Sequence, residues 1–134
     1  MATVHLENAS GFEQRIRART HRLTADEPTD VGGTDSGPAP YELLLASLAA
    51  CTALTLRLYV ARKAWALGRI EIDARFVREA DGTERIEREV RVQSTLDEQQ
   101  LGRLADICEK TPVTRTLKRS MAIATRLISK PDVS

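Results

Sequence analysis

One stretch constrains the fold more than any other: Pro40–Lys63, PYELLLASLAACTALTLRLYVARK. From Leu43 to Leu56 it is apolar apart from Ser47, Thr52 and Thr55. Pro40 suits a first helical turn, and Glu42 sits near the positive end of the dipole. Arg57, Arg62 and Lys63 gather at the other end, with Gly68 placed to cap it. The spacing predicts a helix of about 26 residues. Leu43, Leu44, Leu45, Leu48 and Leu54, with Ala46, Ala49, Ala50 and Ala53, surround its whole circumference. A helix apolar all round must be covered on every side. One small sheet covers a single side, so a second subunit is expected on the other. The uncharged run is shorter than the roughly 20 residues of a membrane span, which argues for a buried core helix.

A chain of 134 residues is read as one domain, 1–134, with a real core. Lys and Arg total 20 against 19 Asp and Glu, for a net charge of +1. No basic excess points to nucleic acid or an anionic membrane; the charges are interleaved as on solvated faces. The N-terminus MATVHLENASGFEQ lacks a basic region followed by an apolar run, so a cytoplasmic location is expected. Two cysteines, Cys51 and Cys108, with His5 and His21, form no metal-ligand spacing. A permanent disulfide is not expected in a reducing compartment.

Around the helix the pattern is that of strands. Phe12 to Leu23 alternates, with Glu13, Arg15, Arg17, Arg19 and His21 on one face, and predicts one strand. A shorter strand at Thr3–Glu7 pairs with it through the NASG turn. Residues 26–39 are rich in Gly, Pro and Asp and form a loop. Ile70, Ile72, Ala74 and Phe76 alternate with charges, as do Ile86, Val90 and Val92 after Asp81-Gly82, which predicts a hairpin. Thr95 with Glu98 reads as a capping box. The helix behind it sets Leu101, Leu104, Ala105 and Cys108 on one face. A further helical turn is expected at Thr114–Lys118, and MAIATRLI as a closing strand. The fold class is α+β.

GGTDSGP has the glycine spacing of a phosphate loop, but Pro38 stands where that motif needs Lys, which excludes nucleotide binding. Cys51 lies too far from the helix start for the dipole to act on its thiol. As a nucleophile it needs a neighbouring cation. Read without context, Cys51 and Cys108 are packing, the Arg15/Arg17/Arg19 face is solvated, and Glu42 complements the dipole.

The run HRLTADEPTDVGGTDSGPAPYELLLASLAACTALTLRLYVARK resembles the OsmC/Ohr family, the thiol-dependent organic hydroperoxide reductases. ADEP, GG, GP-x-PYELLLA-x-L-x-A-C-T and TLR-x-Y fit an OsmC-like branch, and TPVTRTL before the closing strand fits the family's second landmark. The resemblance runs from about His21 onward. It implies an OsmC-like, intertwined homodimer with active sites at the subunit interface. It places Cys51 on the peroxidatic cysteine, which attacks R–O–O–H, releases the alcohol and becomes a sulfenic acid. A resolving thiol then forms a disulfide, and an external dithiol, of lipoyl type by analogy, resets it. No metal or bound organic cofactor is implied.

Three positions depart from the family pattern. Where the resolving cysteine stands before the landmark proline, this chain has Thr111. Cys108, about one helical turn earlier, takes that role, or resolution passes to an external thiol. The glutamate that holds the catalytic arginine falls on Tyr41, leaving Glu42 beside it. Arg19 is assigned as the arginine, with Arg17 and Arg22 as alternatives. The expected function is a peroxidase for organic hydroperoxides; the alternative is a catalytically weak dimeric protein binding an apolar small molecule. A purely structural dimer is the third reading.

Overall fold

A computed structural model describes residues 1–131 of the chain. Strands β1 (His5–Glu7), β2 (Gln14–Ala18) and β3 (His21–Ala25) form one antiparallel sheet in that order. Helix α1 (Pro40–Lys63) follows, then the hairpin β4 (Ile70–Arg78) and β5 (Glu84–Val92). Helices α2 (Glu98–Cys108) and α3 (Pro112–Lys118) complete the regular structure. The architecture is α+β, as expected.

Four local expectations are corrected. The strand expected over Phe12–Leu23 is two strands, because Arg19 turns the chain at a φ of 57° and Ala18 pairs with His21. A two-residue turn reverses the strand yet leaves the alternation looking continuous. Arg22, and not His21, therefore shares the face of Arg15 and Arg17. Helix α1 stops earlier than Gly68 allows, at a left-handed Ala64 (φ 57°); the Gly68 N–H instead donates to the Gln93 carbonyl at 2.8 Å. The α2 capping box uses Asp97 and Gln100, two residues beyond Thr95 and Glu98. The segment MAIATRLI forms no strand, and Met121, Ile123, Leu127 and Ile128 are exposed.

Helix α1 is long and apolar enough to cross a bilayer by length and composition. Here its stripe Leu48, Thr52, Leu56 and Val60 is buried, at the four-residue spacing of one helical face. That face packs on β4, α2 and α3. Leu56 and Val60 meet Leu104 and Cys108 in the core, walled by Ile70 and Val90 of the hairpin. The other side is open: Leu54 is 64% and Leu58 66% exposed.

The loop from β3 to α1 is tied to one carboxylate. Asp26, buried, accepts the hydroxyls of Thr34 and Ser36, each at 2.7 Å, and the backbone N–H groups of Glu27 (2.7 Å), Ser36 (3.1 Å) and Thr34 (3.3 Å). These bonds hold its pKa far below the ordinary carboxylate range, the Ser36 hydroxyl most, then that of Thr34. A Cβ at Gly33 would lie 2.0 Å from the Glu27 carbonyl, and one at Gly37 2.1 Å from that of Thr24. Those glycines serve this close backbone approach, which accounts for the motif without a phosphate.

Candidate functional site

Cys51 projects from the middle of α1, one position round from the buried stripe, and is half-buried. Its sulfur lies 4.0 Å from the Thr55 hydroxyl, one turn on. That hydroxyl donates to the Cys51 carbonyl at 2.7 Å. With the hydrogen so committed, the oxygen accepts from a thiol; turned round, it donates to a thiolate.

The next residue opens onto a polar knot. Thr52, fully buried, donates to the Leu48 carbonyl at 2.7 Å and accepts from the Arg88 guanidinium at 2.8 Å. The same guanidinium donates to the Thr114 hydroxyl (3.0 Å), the Cys108 carbonyl (2.9 Å) and the Glu109 carboxylate (3.2 Å). Its side chain is 11% exposed. One arginine from β5 thus joins α1, the end of α2 and α3, and its charge is compensated by Glu109, which also holds Lys118 at 2.7 Å. Burying a guanidinium is tolerated when its donors are matched in this way.

Arg88 was not among the expected site residues. A signal existed: position 88 falls on the face of Ile86 and Val90, where an apolar residue continues the alternation. A charge on that face is an interior charge.

The expected residues are placed as follows. Cys108 is buried, 8% exposed, in the cluster with Leu56, Val60 and Leu104, of which Cys51 is not a member. Both thiols are free. Burial pushes the Cys108 thiol up in pKa; Arg88 pulls it down and Glu109 raises it further. Thr111, fully buried, caps α3, its hydroxyl 2.6 Å from that of Thr114. It belongs to the knot that Arg88 holds. Glu42 is exposed and accepts the Ala39 N–H at 2.8 Å, so its carboxylate caps α1. Tyr41 stacks on Phe76, ring centroids 4.4 Å apart. Arg19 is exposed at the β2–β3 turn, and among the described residues it makes no ion pair with Glu42 within one protomer.

Beside the knot lies a groove of about 550 Å³. Leu48, Phe76, Ile86 and Leu117 supply an apolar wall; Glu84, Arg85, Arg88, Glu109, Thr114 and Lys118 make the rest polar. Leu48 precedes Cys51 by one turn of α1. Among the described residues no His, Cys, Asp and Glu cluster could hold a metal ion.

The fold and the sequence can be set against known proteins. Among solved structures, a protein of Psychrobacter arcticus 273-4 described as an osmotic stress induced and detoxification response protein superposes with a TM-score of 0.75 at 17% identity, over 87% of this chain and 88% of that one. An OsmC like protein from Mycoplasma pneumoniae gives 0.71 at 21%, over 88% and 86%. The organic hydroperoxide resistance protein OhrB of Bacillus subtilis gives 0.61 at 20%, over 88% and 90%. At these identities the likeness is one of fold. No curated protein matches the chain. The sequence profile of the OsmC-like proteins matches residues 33–126, the loop, α1, the hairpin, α2, α3 and part of the segment beyond. Because that match spans well over half of the chain, the chain belongs to the OsmC-like protein family.

Proposed function

We propose that this protein reduces organic hydroperoxides, with Cys51 as the reacting sulfur. The Cys51 thiolate attacks the outer oxygen of R–O–O–H, the O–O bond breaks, and the alkoxide leaves with a proton as ROH. Cys51 becomes a sulfenic acid. A second thiol attacks that sulfur and releases water, and a further thiol frees Cys51 as the disulfide leaves. Two thiols are oxidised for each peroxide reduced. A redox and stress role agrees with the names of the family's structural neighbours.

The observation that carries the reading is a free, half-buried sulfur next in sequence to a residue bonded to a buried guanidinium, and one turn from an apolar groove wall. An apolar wall favours organic peroxides over hydrogen peroxide. Arg19 with Glu42 remains the proposed activating pair, brought together across the subunits of a homodimer. Cys108 resolves the sulfenic acid only if α2 shifts, because its thiol sits in the core and Arg88 holds its carbonyl. An external dithiol of lipoyl type is therefore the proposed resolving agent as well as the reductant. No metal or bound organic cofactor enters this scheme, and the cytoplasm is the proposed location.

Stoichiometric cumene hydroperoxide added to reduced protein tests this. Loss of one thiol per chain, abolished in Cys51→Ser and kept in Cys108→Ser, is expected. Loss of both thiols would return Cys108 to the resolving role. Absence of any thiol loss would overturn the peroxidase and favour a dimeric protein binding an apolar small molecule.

A further inference from the structure

The β1–β2–β3 sheet carries a feature that the thiol chemistry does not use. Its register sets His5, Arg17 and Arg22 abreast across three strands, on the face opposite Leu6, Ile16 and Leu23. Neighbouring strands lie about 4.8 Å apart, so the row spans about 10 Å. Arg17 and Arg22 are direct cross-strand partners, an arrangement of like charges that destabilises an antiparallel pair.

On the hairpin the like-charge pair Asp73 and Glu89 is neutralised by Arg91, which bonds both carboxylates, at 2.6 and 2.7 Å. There too Arg75 meets Glu87, Arg78 meets Glu84 and Arg85 meets Glu79. On the N-terminal sheet the nearby carboxylates are already engaged: Glu7 with His5 at 3.3 Å and Glu13 with Arg15 at 3.2 Å. Among the described residues Arg17 and Arg22 have no carboxylate partner. They line a groove of about 380 Å³ with His5, Glu7, Arg15 and Thr24. That volume lies within the range of small-molecule sites.

We propose that this groove binds a phosphate group, either inorganic phosphate or a small phosphomonoester, between the Arg17 and Arg22 guanidiniums. A guanidinium presents a planar fork that matches phosphate oxygens two at a time. Two adjacent forks supply the charge that a dianion neutralises, whereas one carboxylate would leave half the repulsion in place. Glu7 opposes an anion here, but its pairing with His5 engages it at the far end of the row. Arg17 and Arg22 are the alternatives to Arg19 in activating Cys51, but phosphate binding is measured without peroxide, so the site stands or falls apart from the peroxidase.

Calorimetric titration with inorganic phosphate and with phenyl phosphate, at fixed ionic strength, tests the proposal. Saturable binding is expected, weakened about tenfold or more in Arg17→Gln and in Arg22→Gln, one charge-assisted fork each. Arg75→Gln, which removes a paired arginine of the other sheet, is expected to bind as the parent does. Circular dichroism of each variant reports that the sheet is intact. Equal binding by Arg22→Gln and the parent, or no saturable binding of either probe, would overturn the site. Binding only to vesicles containing phosphatidic acid, with neither free probe bound, would also overturn it and indicate a membrane surface instead.

Discussion

The Thr55 hydroxyl is the polar group placed to respond when Cys51 ionises. It spends its hydrogen on the Cys51 carbonyl, a bond back along the helix that it can exchange for one to sulfur. Thr55→Val keeps the shape and removes the donor. Alkylation of Cys51 by iodoacetamide at neutral pH, measured in a Cys108→Ser background, should slow about tenfold, the worth of one hydrogen bond to a charged group. Thr55→Ser should recover most of the rate. An unchanged rate in the valine variant would mean that other groups stabilise the thiolate. Arg88 belongs to this scale too. Arg88→Met takes the charged donor from the Thr52 and Thr114 hydroxyls and leaves the Cys108 carbonyl only the Thr114 hydroxyl, at 3.3 Å, and should cost about 2–4 kcal/mol in urea unfolding. Arg88→Lys should not restore it, because an ammonium cannot span donors to three helices. The two residues differ in how legible they were. Cys51 was conspicuous as a thiol in an apolar run. Arg88 hid among the many arginines of β5, since only pairing register reveals which charges face inward.

At the level of elements, sequence pattern worked where burial is one-sided. The β4–β5 hairpin alternates because one face meets α1 and the other water, and its Asp81-Gly82 turn was visible. The N-terminal strands read as one because a two-residue turn centred on Arg19 and Thr20 lacks the expected glycine or asparagine. Closing contacts of the 26–39 loop were not legible, since they depend on where Asp26 points. They make a pH prediction. Asp26 has a folded-state pKa below its unfolded value, near 3.9, so the unfolded chain takes up its proton first as pH falls. Its contribution is complete at neutral pH and is lost as pH drops through the folded pKa. Asp26→Asn should therefore lower the thermal midpoint at neutral pH, and the gap from the parent should narrow below about pH 4. A gap that stays constant down to strong acid would place the loss in shape, not charge.

The whole protomer leaves uncovered what α1 needs covered. Leu54 and Leu58 are one turn apart on its open side, and Met121, Ile123 and Leu127 are 64%, 87% and 94% exposed in the tail that follows α3. Scattered exposed leucines are ordinary, but a contiguous apolar helix face is not. The three-stranded sheet adds Leu6 and Leu23, 50% and 47% exposed on one face. In the homodimer proposed above, a second copy of the chain would supply complementary surfaces of the same kind, in keeping with symmetric interfaces. Leu58→Glu places a charge in that seam without touching the stripe Leu48, Thr52, Leu56 and Val60. Sedimentation equilibrium should show a dimer for the parent and a shift on the order of ten-thousandfold toward monomer for the variant, since a homodimer would carry two such charges at about 3 kcal/mol of uncompensated burial each. The double variant Leu54→Glu/Leu58→Glu should be monomeric throughout. If Arg19 and Glu42 act across the seam, peroxide-dependent thiol loss should fall with the dimer fraction while iodoacetamide still reaches Cys51. A monomeric variant that consumes peroxide at the parental rate would show that one protomer holds the whole site, and would remove Arg19 from it.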